Sequence, residues 1–200
     1  IERSREEQKS APAPPPVAEA AAPAVKRESP PGLWADFRGP NRAGIYNETP
    51  ILTTWPSTGL TRLWKHPVGG GYASFVVADG RAFTIEQRRG KEVVAAYDLD
   101  TGRELWADSW DALFQEAMGG DGPRATPTFH EGRVYALGAA GELRCLDAAA
   151  GKPLWRRNIL DDNAAANLQW GMSSSPLIVD ERSWCCPAAP PENRSSPTTS

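Results

Sequence analysis

Short apolar runs alternate with turn-forming residues along most of the chain, and the pattern is clearest between residues 133 and 157. Residues 133–137, Arg-Val-Tyr-Ala-Leu, suit a pleated strand, where β-branched and aromatic side chains pack well. Gly138 and Gly141 bracket a reversal, since they take the positive φ that a tight turn needs. Residues 142–146 then run back. Asp147 offers its carboxylate to backbone N–H groups two or three residues on, and Gly151 takes the left-handed position. Residues 152–157 make the next strand, with Trp155 as its bulky anchor. Val134 and Ala136 lie on one face and Tyr135 and Leu137 on the other, so both faces are apolar. Such a sheet is covered on two sides.

The same unit occurs earlier in the chain. Asp98, Gly102 and Trp106 precede Asp147, Gly151 and Trp155 by 49 residues each. The leading strand occurs three times, at 73–81, 125–133 and 174–182. A fixed period of this size, built only of strand and turn, predicts radial blades. The expected fold is all-β, a partial β-propeller of about two complete four-stranded blades plus parts of flanking ones. The identical Asp-x-x-x-Gly settings mark Asp98 and Asp147 as turn-makers rather than an acid–base pair.

The flanks and insertions read differently. Residues 1–31 hold seven of the nineteen prolines and no aromatic residue, which predicts an extended, disordered tether. Residues 34–41 read as an irregular segment on the propeller rim, and 60–66, with Trp64, as an outer strand before the first full blade. Two short helical insertions are expected. Ser109 would cap a helix over 110–118, ending at Gly119 and Gly120, and Asp161-Asp162 would open a helical turn through 164–168. From Ser183 the repeat stops, and a Pro- and Ser-rich run takes over. The blades are therefore bounded at 32–182, with 183–200 expected as a disordered, non-propeller tail without ladder strands. A reading-frame shift or truncation near residue 182 would account for such a tail.

Asp98-x-x-Thr-Gly-x-x-x-Trp106 and Asp147-x-x-Ala-Gly-x-x-x-Trp155 resemble the tryptophan-docking repeat of the PQQ-like, quinoprotein dehydrogenase-like propellers. Trp34-Ala-Asp-Phe-Arg-Gly-Pro-Asn-Arg42 resembles the opening segment of one bacterial branch of that superfamily. The resemblance covers about residues 34 to 180. WD40 repeats fit less well, because Trp106 precedes Ala107 and Trp155 precedes Arg156. The resemblance implies an eight-bladed parent, of which this chain would be an amino-terminal fragment. It also implies export to the periplasm, with any membrane anchor or signal lying upstream of Ile1. Two functions follow from it. One is a non-catalytic binding or scaffold module without cofactor, as in the outer-membrane-assembly propeller lipoprotein. The other is the front part of a PQQ-dependent dehydrogenase oxidising alcohols or sugars with PQQ and calcium.

Charge and chemistry add little to that division. With 22 basic and 25 acidic residues, the net charge of −3 points away from nucleic acid as a partner. No apolar run approaches the length of a membrane span. His66 and His130 lack partners at metal-site spacing, Cys145 reads as a small buried hydrophobe, and Gly69-Gly70-Gly71 lacks a phosphate-loop fingerprint. Cys185-Cys186 resembles the vicinal disulfide of PQQ-dependent alcohol dehydrogenases, but it sits outside every repeat. No catalytic or metal-ligating residue is assigned. Any partner, a protein or a small molecule, is expected at the axial mouth, where Tyr72, Arg124 and Ser173 are repeat equivalents. Trp170, Glu86 and Gln87 are expected nearby. Tyr72, Arg124 and Trp170 would hold an anionic ligand such as a quinone carboxylate; the other reading is that Arg124 pairs with a loop carbonyl or carboxylate.

Overall fold

The computed structural model describes residues 34–46, 50–179, 182–185 and 196–198. Two four-stranded antiparallel sheets form its body. The first contains β1 (Val76–Ala78), β2 (Arg81–Arg88), β3 (Lys91–Asp98) and β4 (Glu104–Asp111), paired in chain order. The second contains β5 (Thr128–His130), β6 (Arg133–Leu137), β7 (Glu142–Asp147) and β8 (Pro153–Asn158), in the same order. β2 and β3 are buried along nearly their whole length, as strands covered on both faces must be. The repeat therefore folds as blades, and the all-β class expected from the spacing is the one observed.

The main core lies between the two sheets. Phe83, Ile85, Val94 and Ala96 of the first blade pack on Val134, Ala136, Leu146 and Ala148 of the second. Phe83 stacks with Phe129, with ring centroids 6.0 Å apart. A second cluster joins Leu137, Leu143, Ile159, Leu160 and Met172 on the far face of the second blade.

Several local expectations are corrected. No helix forms over 110–118. β4 runs through to Asp111, and Trp110 sits in its ladder opposite Glu92. Burial of the Trp110 ring between the blades outweighs the local capping signal at Ser109. The second helix, α1 (Ile159–Asp162), starts earlier than expected and is a single turn. Asn158 caps it, its side chain accepting from Leu160 N and Asp161 N, while Ala164 at φ 48° stops it. Residues 60–66 form no ladder, because no strand among the described residues lies beside them.

Residues 34–41 lie on the inner strands and not on the rim. Trp34 exchanges both backbone hydrogen bonds with Val77 of β1, and Ala35 O accepts from Phe129 N of β5 at 2.7 Å. Past residue 182 the chain does form ladder strands. β9 (Leu177–Val179) pairs with β10 (Arg182–Cys185), which pairs with β11 (Ser196–Thr198). Pro197 falls on β11, the outer strand of this sheet among the described residues, where a missing N–H is tolerated. The tether over 1–31 and Cys186 lie outside the described residues.

Candidate functional site

The turn residues act as the sequence implied. Asp98 Oδ1 accepts from Thr101 N at 2.8 Å and Thr101 Oγ1 at 2.7 Å. The Thr101 hydroxyl and nearby N–H groups hold the Asp98 carboxyl below its usual range. Asp147 Oδ1 accepts from Ala149 N at 3.0 Å and Ala150 N at 2.7 Å. Gly102 and Gly151 take φ 69° and 70°, which glycine adopts without steric cost.

These corners are the seats for the indoles. Trp106 of the first blade lies over Gly151 of the second, and its Nε1 donates to Ala148 O at 3.1 Å. Trp64 makes the same contact one blade earlier, over Gly102, with Nε1 donating to Leu99 O at 3.0 Å. Trp155 lies beside Tyr135, with ring centroids 6.0 Å apart.

At the mouth, the loops before β1, β5 and β9 meet. Tyr72 N donates to Pro123 O at 2.8 Å, drawing the first two loops together. Arg124 is at the centre. Its guanidinium lies 5.1 Å from the Tyr72 ring centroid and 5.4 Å from that of Phe114. Nε donates to Trp170 O at 2.6 Å and Nη2 to Gly120 O at 3.0 Å, with Glu116 Oε2 at 4.0 Å. Glu116 in turn accepts from Met118 N and Gly119 N, which hold its carboxyl below the usual range.

The structure therefore brings Tyr72, Arg124 and Trp170 together, but Arg124 serves the loops. Nε and Nη2 meet loop carbonyls, and the Glu116 carboxylate stands 4.0 Å from Nη2. Phe114 and Glu116 complete the cluster and were hidden in the segment read as helix.

Glu86 does not join it, while Gln87 reaches its edge through the Phe114 backbone. Glu86 Oε1 accepts from Tyr97 OH at 2.9 Å and pairs with Arg88 at 2.5 Å, and Gln87 Oε1 accepts from Phe114 N at 2.8 Å. Ser173 is exposed. Burial pushes the Tyr97 phenol well above its usual range. His66 packs 4.7 Å from the Tyr97 ring, and His130 faces Glu131 at 4.0 Å. Cys145 is buried and unpaired, with its thiol raised by burial. Among the described residues, no three His, Cys, Asp or Glu side chains gather as a metal site requires, and no helix is long and apolar enough to cross a membrane.

One polar group lies between the blades without a sequence signal. Glu92, with no solvent exposure, accepts from Ala139 N at 2.7 Å through Oε1, while Oε2 is wedged against Gly138 without a hydrogen-bond partner. Burial raises its carboxyl, against the opposing pull of the Ala139 N–H. Arg144 lies 4.4 Å from the Trp110 ring centroid and is paired with Asp108 at 2.8 Å and Glu142 at 3.0 Å.

Sheets fanned about converging inner strands and pinned by indoles define β-propeller blades. Residues 90–186 match the family model described as outer membrane protein assembly factor BamB. That match supports PQQ-like propeller repeats over this stretch of the chain. Among solved structures, BamB from Moraxella catarrhalis is 20% identical with a TM-score of 0.40, over 56% of this chain and 29% of that one. The quinohemoprotein alcohol dehydrogenase of Comamonas testosteroni is 24% identical with a TM-score of 0.44, over 60% and 17%. That of Pseudomonas putida HK5 is 20% identical with a TM-score of 0.46, over 62% and 18%. The chain thus spans less than a third of the length of each of these structures. A search of curated protein sequences finds no match.

Proposed function

We propose that the chain is a non-catalytic sector of a PQQ-like propeller in an exported bacterial protein, serving as a binding or scaffold module. The observation that carries this reading is the commitment of Arg124. Arg124 at the mouth is held by Trp170 O and Gly120 O, with Glu116 beside it. Exposed Tyr72 and Trp170 around it suit contact with a protein or small-molecule partner better than capture of an anionic cofactor. The net charge of −3 supports a partner other than nucleic acid.

The rival reading is the front part of a PQQ-dependent dehydrogenase, which would bind PQQ and calcium. Equilibrium dialysis with PQQ and calcium, followed by dye-reduction assays with simple alcohols and sugars, tests the choice. The expected result is no retained quinone and no dye reduction. Stoichiometric PQQ retention with alcohol-dependent dye reduction would overturn the proposal.

A further inference from the structure

The β6–β7 turn of the second blade, residues 138–141, is held from two sides through one peptide. On the side of the first blade, Glu92 Oε1 accepts from Ala139 N at 2.7 Å. On the other side, Ala139 O accepts from Met172 N at 2.9 Å and from Asn167 Nδ2 at 3.0 Å. Those two donors bracket Trp170, whose carbonyl takes Arg124 Nε at 2.6 Å. The Ala139 peptide thus joins a carboxyl between the blades to the 167–172 loop at the mouth.

The seat of Glu92 is tight. The carboxyl has no solvent exposure, and Oε2 lies against Gly138 without a hydrogen-bond partner. The Trp110 ring of β4 packs on the same glycine, so a side chain at residue 138 would meet both. A neutral acid is tolerated there at modest cost, whereas a carboxylate needs donors or water on both oxygens. Ala139 N serves one oxygen; hydrating the other requires the 138–141 turn to move off the first blade, and Ala139 O moves with it. Burial raises the Glu92 carboxyl, and the Glu142 charge on β7 adds to the shift. Arg144 of β7 is held by Glu142 and by Asp108 of β4. Opposite Glu92 in β2 stands the neutral Gln87, and residues 163–172 carry no charged side chain.

We propose that Glu92 governs the order of the mouth loop through the Ala139 peptide: ionisation of Glu92 lifts the 138–141 turn and releases Met172 N and Asn167 Nδ2. The loop is ordered while Glu92 is protonated and loosened once it is charged. Because the folded carboxyl titrates above the ordinary glutamate value of roughly 4.3, the loosening falls on the alkaline side. The coupling belongs to the loop and holds whatever binds at the mouth.

Hydrogen-exchange mass spectrometry of the 200-residue chain between about pH 5 and about pH 9, corrected for intrinsic rates, reads the coupling. As pH rises, protection in residues 138–141 and 167–172 should fall by roughly threefold or more beyond any change in β2 and β3. In Glu92→Gln, which keeps an acceptor for Ala139 N and cannot ionise, that fall should vanish. Asn167→Ala, at an exposed position, removes one of the two donors on Ala139 O and leaves the blades intact. It should raise exchange in 167–172 at acidic pH and shrink the further rise at alkaline pH. Protection that ignores pH in the native chain, a fall shared equally with β2 and β3, or the same fall in Glu92→Gln would overturn the proposal. So would an Asn167→Ala chain whose loop exchanges as the native one does.

Discussion

The indole of Trp106 covers Gly151 of the neighbouring blade so closely that any side chain at that position would overlap the ring. Ala at residue 151 would therefore be strained twice, by that overlap and by its backbone at φ 70°. Gly151→Ala is expected to cost about 1–3 kcal/mol, and Trp106→Ala about 2–4 kcal/mol because the ring is only partly buried. Urea unfolding of the two variants and their double mutant checks this. Their effects should be strongly non-additive, since both remove one contact.

The buried carboxyl of Glu92 sets an opposite pH trend from the usual carboxylate. Its folded pKa is raised by burial, so its contribution to stability is complete below the ordinary glutamate value of roughly 4.3. That contribution is lost as pH climbs from there through the raised value. Arg144 pairs with Asp108 and Glu142, and the Glu142 charge adds to the upward shift of Glu92. Glu92→Gln keeps an acceptor for Ala139 N and should flatten the dependence of the melting temperature on pH over that interval. An unchanged pH profile would contradict this account.

Asp36 and Arg42 fasten the inner segment across blades. Arg42 Nε bonds Asp36 Oδ2 at 2.8 Å, and Nη2 donates to Pro176 O at 2.5 Å and Ser175 O at 3.3 Å. Asp36 Oδ1 accepts from Thr128 Oγ1 at 3.2 Å. A double-mutant cycle of Asp36→Ala and Arg42→Ala should show a coupling of about 1 kcal/mol, more than an isolated surface pair provides. Arg42→Lys should not rescue, because a point cation cannot serve Asp36 and two carbonyls at once.

Arg124 ties two loops together through Gly120 O and Trp170 O. Arg124→Ala should speed amide exchange in residues 114–122 and 168–172, which lose the shared anchor on Gly120 O and Trp170 O. Protection of β2 and β3 should be unaffected. Hydrogen-exchange mass spectrometry separates the two regions.

Much of this was legible before folding. The strands β6, β7 and β8 fall within a residue or two of the positions the turn chemistry marked, and the 49-residue spacing delivered the indole seats. The misreadings share a cause. Ser109 and Asp161 are good local caps, but the burial of Trp110 between blades and the cap from Asn158 decided the outcome. The Pro- and Ser-rich tail read as strandless because local propensity hides a partner; Pro197 lies on the outer strand, where the ladder asks least of it.

The sequence alone determined where the chain extends and where it reverses, since side-chain alternation and the Asp–Gly corners act between near neighbours. It also determined which blades repeat. Only tertiary structure decided the fate of the polar groups. Glu92 reads as an ordinary strand glutamate until the second blade closes over it, and Arg124 meets Trp170 O only where two loops far apart in the chain converge. Desolvation and hydrogen bonding depend on atoms far away along the chain, so no local pattern encodes them.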